Sequence, residues 1–345
     1  MTVHAFTSFT YSYLDRARVL ARTLRAQHPD WVIWAVLTDC EPPDYRLDWT
    51  AEPFDRMITV VDLFGDDTEA WVFGHDIVEA CTAVKGRALF RIMDEPGCEK
   101  VIYFDPDIAV FNPLTPVVDL LDDYEIVLTP HQVDPESGTA RRAIIDNEIA
   151  ALQYGSFNLG FIAVRNSDEG RRFATWWADR LQDWCHDRLD IGVFVDQKWC
   201  NLLPCFFDGV HVLRDPGYNV ASWNLSKRVL RYDADGNALV NGRLLRFYHF
   251  TKLGPIGDAM TRRYAADNIE VHELWWWYRQ QVLASHDPGV PKGWWHYGRF
   301  DNGDPIPKLA RETYRSRRDL RIMFPEPRRT GGGSFHAWLR QSGMQ

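Results

Sequence analysis

The chain has 345 residues, longer than one average domain, so it admits one large α/β domain with additions or two domains. Its 46% hydrophobic and 25% charged content is ordinary for a folded globular protein and excludes wholesale disorder. A net charge of −9 excludes a general nucleic-acid binder, which draws phosphate affinity from basic patches, and an anionic substrate would need local positive charge or a metal.

At the N-terminus, Met1-Thr2-Val3-His4-Ala5-Phe6 lacks a basic segment followed by an apolar core, and no apolar run approaches the ~18 residues of a membrane helix. The six cysteines (Cys40, Cys81, Cys98, Cys185, Cys200 and Cys205) are scattered without a Cys-x-x-Cys pair. These features point to a cytoplasmic protein with reduced thiols and no transmembrane segment. Val3 to Thr7 reads as a short strand. Ser12-Tyr13-Leu14-Asp15 follows as a capping-box-like helix start. Tyr13, Ala17, Leu20 and Leu24 recur at helical spacing with arginines opposite, and His28-Pro29-Asp30 ends that helix. Trp31 to Leu37 is a continuous apolar run ending in Thr38-Asp39, the pattern of a parallel strand buried on both faces.

Ile77, Cys81, Val84, Ala88 and Ile92 mark a second helix, interrupted by Gly86, which weakens an unbroken helix by ~1 kcal/mol relative to alanine. It leads into Val101-Ile102-Tyr103-Phe104, a buried strand that surfaces at Asp105-Pro106-Asp107 before a second run, Ile108 to Phe111. Pro106 lacks an N–H and ends the ladder there. Two carboxylates at a strand's end are hard oxygen ligands suited to Mg²⁺ or Mn²⁺. Asp and Pro are also favoured turn residues, so an acidic turn is the competing reading of the motif alone.

Later strand candidates are Glu125 to Leu128, Gly160 to Val164, His211 to Leu213 and Arg246 to Phe250. Ser167 can cap a helix whose Phe173, Trp177, Leu181 and Trp184 form a buried stripe. The expected fold is α/β: a mostly parallel sheet flanked by helices, with ligands beyond the carboxyl ends of its strands. Past Thr251 the alternation fades. Glu270 to Ala284 reads as helix, Pro288 to Pro307 as an aromatic-rich loop with a turn at Asn302-Gly303, and 328–345 as a flexible tail. The 15 tryptophans cluster at Trp176-Trp177, Trp275 to Trp277 and Trp294-Trp295, where they suit core, interface or sugar stacking.

Four further segments follow the Asp-x-Asp motif: Phe157-Asn158-Leu159-Gly160, Val195-Asp196-Gln197-Lys198, Pro216-Gly217-Tyr218-Asn219 and Phe247-Tyr248-His249-Phe250-Thr251-Lys252. In this order, over about residues 1 to 255, they resemble the nucleotide-sugar glycosyltransferases of the GT-A fold. The resemblance is greatest to the retaining family typified by bacterial galactosyltransferases and glycogenin. It implies a GT-A catalytic domain over 1–255, an aromatic-rich extension over 256–327 and the tail at 328–345.

The resemblance also implies metal-dependent transfer of a hexose from a UDP-sugar to a carbohydrate, lipid-linked or peptide acceptor, with retention. Asp105, Asp107 and His249 then match the ligands of Mn²⁺, or less usually Mg²⁺. Asp196 matches the acid that orients donor hydroxyls, Gln197 the group beneath the anomeric carbon, and Asn158 a residue of the sugar or nucleophile region. An amide is a poor nucleophile, and a front-face route asks less of Gln197. Lys85 falls where a basic residue reaches the donor, with Arg87 and Arg91 as competitors. Lys252 matches a diphosphate contact, although the glycine usual between histidine and lysine is missing. Thr7, Tyr11, Thr38 and Asp39 are expected near the nucleoside. The rival readings are a metal-dependent nucleotidyl or phosphoryl transferase, which usually needs a phosphate-cradling glycine loop not evident here, and a catalytically silent carbohydrate-binding protein of the same fold.

Overall fold

The computed structural model describes residues 2–343. Its centre is a seven-stranded sheet built on β1 (Thr2–Phe9), β2 (Val32–Leu37), β3 (Arg56–Thr59), β4 (Cys98–Phe104), β6 (Ile126–Pro130), β7 (Phe157–Arg165) and the strand Val210–Val212. A short strand outside it, β5 (Ile108–Val110), follows β4. From one edge the order is Val210–Val212, β6, β7, β4, β1, β2, β3. β4, β1, β2 and β3 run parallel in turn, as do β6 and Val210–Val212, whereas β7 is antiparallel to both β4 and β6. The sheet is thus mostly parallel and covered by helices, as the strand and helix rhythm predicts.

The continuous apolar runs have the expected cause. Along β4, Val101 and Tyr103 join the core on one face of the sheet, while Ile102 and Phe104 join the core on the other. β7 divides likewise, with Ile162 and Val164 on the first face and Phe161 and Ala163 on the second. Both faces are buried, so polar alternation is absent.

Several elements depart from expectation. The Leu14–Gln27 helix is preceded by a 3₁₀ turn, Tyr11–Tyr13, and has no side-chain cap; the Ser12 hydroxyl instead lies 2.8 Å from the Thr10 hydroxyl. The Ile77–Met93 helix is unbroken, because Gly86 lets it pack against the Asp168–Trp184 helix. A Cβ there would lie 2.6 Å from Cα and N of Ala178. Ser167 does cap that second helix, accepting from Gly170 N, but Trp184 is 50% exposed and lies outside the buried stripe. The Arg246 to Phe250 run forms the strand Phe247–His249, which pairs antiparallel with β5 in a separate two-stranded ribbon. This ribbon packs on the Ile269–Ala284 helix through Tyr248, Phe250, Trp275 and Tyr278.

The C-terminal region is well packed. Tyr297 belongs to the main core, with Trp295 against it, and a separate cluster gathers Phe73, Phe300, Tyr314, Phe324, Phe335 and Leu339. The segment expected as a flexible tail therefore contains a helix, Phe335–Gln341, with Phe335 and Leu339 buried; its last two residues, 344 and 345, lie outside the described residues. Aromatic residues in a Gly- and Pro-rich stretch pack without the periodicity that betrays a core-facing helix. Arg18 anchors the extension, pairing with Glu52 at 2.5 Å and Asp287 at 3.1 Å while donating to the Ser285 carbonyl at 2.8 Å. No helix among the described residues is long and apolar enough to cross a membrane, and all six cysteines are free.

Candidate functional site

β4 ends at Phe104, and the backbone then turns, with Ile108 N donating to Asp105 O at 3.1 Å. Two bonds hold this turn in place: Asp105 N donates to Gly160 O on β7 at 2.7 Å, and Phe250 N donates to Asp107 O at 2.8 Å. The second extends the ribbon in which His249 faces Ile108. The result is a cluster of two carboxylates and one imidazole whose candidate ligand atoms all lie within 4.8 Å of one another. His249 Nε2 is 3.0 Å from Asp107 Oδ1 and 3.6 Å from Asp105 Oδ2. Burial opposes both charges, but each member of the His249–Asp107 pair favours the other, so the imidazole pKa is raised and the Asp107 carboxyl pKa is lowered.

The other imidazole nitrogen has its own partner. His249 Nδ1 lies 3.1 Å from Asn158 Oδ1, and an amide oxygen only accepts, so Nδ1 carries a proton in this bond. Asn158 Nδ2 in turn donates to Gln197 Oε1 at 3.4 Å. Gln197 Oε1 also accepts from Leu159 N at 3.2 Å, and its Nε2 donates to Tyr154 O at 3.2 Å. The Gln197 amide is therefore pinned at both ends. Gly160 makes this packing possible, since a Cβ there would lie 2.5 Å from His249 Cε1 and 2.9 Å from Asn158 Oδ1.

Lys85, from the Ile77–Met93 helix, joins the two acidic groups. Its Nζ lies 3.2 Å from Asp105 Oδ1, 2.8 Å from Asp196 Oδ2 and 3.0 Å from Leu159 O, the Asp196 contact being an ion pair at an angle poor for hydrogen bonding. Burial disfavours the ammonium, but Asp105 and Asp196 prevail and hold its pKa well above the lysine value. For Asp196 the balance reverses: burial outweighs Lys85 and raises the carboxyl pKa. Tyr103, two residues before Asp105 and thus on the same side of the strand, donates its hydroxyl to Asp105 Oδ1 at 2.6 Å.

These groups open onto a cavity of about 750 Å³. Its walls include Lys85, Asp105, Asp107, Asn158, Asp196, Gln197, His249 and Lys252. Lys252 is exposed at a φ of 54°, consistent with an irregular loop where a glycine is the more usual residue. Arg87 and Arg91 line a different surface depression and do not compete with Lys85 for this site. Thr7, Tyr11, Thr38 and Asp39 are buried and do not line the cavity; Ser8, Phe9, Thr10 and Tyr13 do. Asp39 instead accepts from Tyr11 N at 3.2 Å, Cys40 N at 3.0 Å and His296 N at 2.7 Å, tying the extension to the sheet. Burial pushes its pKa up to about 7 against those three bonds.

Sequence reading missed one wall altogether. The segment from Arg141 to Tyr154 contains a π-helical stretch, Ile144–Ile149, and contributes Asn147, Ala150, Ala151 and Tyr154 to the cavity. It carries exposed Ile145, Ile149 and Leu152 among polar residues, so no single face reads as core.

No model of a known protein family matches the chain. The fold class stands on the sheet itself. Two Bacillus subtilis (strain 168) relatives, the uncharacterized proteins YfnF and YfnD, are each 26% identical to it, over 179 and 182 residues. Those matches cover 51% and 50% of this chain and 57% and 53% of the relatives, so the chain spans little more than half the length of the curated relatives it matches. Among solved structures, the galactosyltransferase LgtC in complex with donor and acceptor sugar analogs is 18% identical, covering 85% of this chain and 99% of its own at a TM-score of 0.47. The glycosyltransferase GlyE of Streptococcus pneumoniae TIGR4 is 15% identical, covering 81% and 64% at 0.43. Mouse xyloside xylosyltransferase 1 is 14% identical, covering 74% and 99% at 0.42. Likenesses this distant transfer none of those activities to the chain.

Proposed function

We propose that the chain is a metal-dependent glycosyltransferase of the GT-A type, moving a hexose from a nucleotide-diphosphate sugar, in the first instance a UDP-hexose, to a carbohydrate, lipid-linked or peptide acceptor in the cytoplasm. The observation that carries the reading is the convergence of Asp105, Asp107 and His249 in the wall of a cavity that Asp196 and Gln197 also line. Two carboxylate oxygens and an imidazole nitrogen suit Mn²⁺, and the Asn158 bond leaves His249 Nε2 as the nitrogen that would ligate. Bound there, the ion would act as a Lewis acid for the charge that grows on the leaving diphosphate.

The chain's own residues divide the remaining work. Lys85 fixes Asp105 and Asp196 relative to each other, so that the metal carboxylate and the sugar-orienting acid keep one geometry. Asp196 orients donor hydroxyls. Gln197, with its amide oxygen already accepting two N–H groups, supports the sugar pocket as a fixed wall and is ill suited to covalent attack. That fits retention by a front-face route in which the leaving phosphate takes the acceptor proton. The nucleoside lies against Ser8, Phe9, Thr10 and Tyr13 in preference to Thr7, Tyr11, Thr38 and Asp39.

Calorimetric titration with UDP, with and without Mn²⁺, tests the reading. Metal-linked UDP binding is expected, and Asp107→Asn should reduce it by at least tenfold without loss of fold. Absence of metal-linked binding in the wild-type chain would remove both the donor and the metal from the proposal.

A further inference from the structure

Strand register places a second tier of residues behind the candidate metal cluster. β1 and β4 run parallel with Phe6 opposite Tyr103, so Ser8, two residues on, shares a face of the sheet with Tyr103 and, by the same alternation, with Asp105. The Tyr103 hydroxyl bridges the other two: its oxygen is 2.6 Å from Asp105 Oδ1 and 3.1 Å from Ser8 Oγ. An ionised carboxylate only accepts, so the tyrosine proton goes to Asp105, at the ~2.5 to 2.7 Å usual for a hydroxyl on a carboxylate. The phenol oxygen is then left to accept from Ser8, whose proton it shares with Cys81 O at 2.7 Å. Ser8, Tyr103 and Asp105 all line the cavity. Phe6 packs on the tyrosine ring edge-on, with 4.9 Å between ring centres, and Lys85 Nζ lies 4.1 Å from the ring centre.

Asp105 Oδ1 therefore receives two donors, the Tyr103 hydroxyl and Lys85 Nζ at 3.2 Å. Each carboxylate oxygen offers about two lone-pair sites, so Oδ1 is filled. The other oxygen, Oδ2, is turned toward the cluster, 3.6 Å from His249 Nε2. Asp107 differs, because its Oδ1 pairs at 3.0 Å with His249 Nε2, itself a candidate ligand. We propose that Tyr103 is a positioning residue for the metal, its hydroxyl holding Asp105 so that Oδ2 alone ligates, with Ser8 behind it orienting that hydroxyl. This inference rests on the proposed function and adds how one of its carboxylates is fixed. Outer partners of this kind set a ligand's orientation before the ion arrives. A chain of two hydroxyls ending on a carboxylate also polarises itself, each bond strengthening the next.

The test is calorimetric titration with Mn²⁺ and no nucleotide, so that donor contacts do not enter, on wild type, Tyr103→Phe, Ser8→Ala and the double variant, with circular dichroism to verify the fold. Tyr103→Phe keeps the ring and removes one oxygen, and it should weaken Mn²⁺ binding by about 10-fold or more, within the ~10- to 100-fold range for a lost outer partner. Ser8→Ala should weaken it less. In the Tyr103→Phe background, Ser8→Ala should change affinity by less than about twofold, since its effect passes through the missing hydroxyl. Folded Tyr103→Phe with wild-type Mn²⁺ affinity would overturn the proposal even if its urea midpoint falls, because a hydroxyl that only stabilises the fold moves the midpoint and not the affinity. A Ser8→Ala loss that persists undiminished in the double variant would overturn the role of Ser8. Wild type that binds no Mn²⁺ would overturn the proposed function and this inference with it, whereas wild-type binding that Tyr103→Phe matches overturns this inference alone.

Discussion

Gly160→Ala places one methyl group against the candidate metal histidine. The added Cβ would lie 2.5 Å from His249 Cε1, 2.8 Å from Nδ1 and 2.9 Å from Asn158 Oδ1. Carbon pairs prefer ~3.5 to 4.0 Å, so the imidazole must retreat by about 1 Å. The strand cannot easily yield, because the Gly160 carbonyl accepts from Asp105 N at 2.7 Å within the β4 and β7 ladder. Ligand positions tolerate only about 0.2 Å, and disturbing a ligand's outer partner costs roughly 10- to 100-fold in metal affinity. The overpacking itself should cost about 1 to 3 kcal/mol of stability. Mn²⁺ titration calorimetry and urea unfolding read the two effects separately. His249→Ala supplies the control: in that background Gly160→Ala should lose most of its stability cost, a coupling that a double-mutant cycle measures. A folded Gly160→Ala protein with wild-type Mn²⁺ affinity would refute the reasoning, whatever its stability.

Two further changes probe the scaffold. Gly86→Ala should destabilise by about 1 to 3 kcal/mol in urea unfolding, reversing the usual helix preference for alanine, because the new Cβ meets backbone atoms of Ala178 at 2.6 Å; a gain in stability would show that the helices can part freely. His28 is buried, and its Nε2 accepts from Leu114 N at 2.8 Å. Burial lowers its pKa to about 4, below the ~6.5 of an unfolded histidine, so the unfolded chain binds the extra proton between those values. Stability should therefore fall as pH drops from about 6.5 to about 4, and His28→Gln should flatten part of that slope in melting-temperature measurements. An unchanged slope would mean that His28 contributes nothing to it.

What could be read from the residues followed burial and order. Strands buried on both faces announce themselves as apolar runs, and Trp31 to Leu37 and Val101 to Phe104 duly form β2 and the end of β4. Direction leaves no such mark, so the antiparallel course of β7 was invisible. Asp105, Asp107, Asn158, Asp196, Gln197 and His249 were found through their order along the chain, and they line one cavity. Asp39, expected near the nucleoside, lies outside the cavity wall with its oxygens accepting from backbone N–H groups, one of them of His296 far along the chain, a contact that local sequence does not announce.

The ribbon that joins β5 to Phe247–His249 also bears on how the protein matures. Asp105 and Asp107 come from one stretch of chain, whereas His249 arrives from a distant one and finds Asn158, 91 residues before it. Closing so long a loop costs entropy before any local contact repays it. A chain that has built β1, β2 and β4 but not this ribbon possesses two of the three candidate ligand residues and neither the Asn158 bond nor the complete cavity wall. Metal affinity would then serve as a readout of complete folding. Under the proposed function, a cation that prefers the finished site would shift the equilibrium away from partly folded chains by mass action, and the ribbon would couple completeness of folding to readiness for donor.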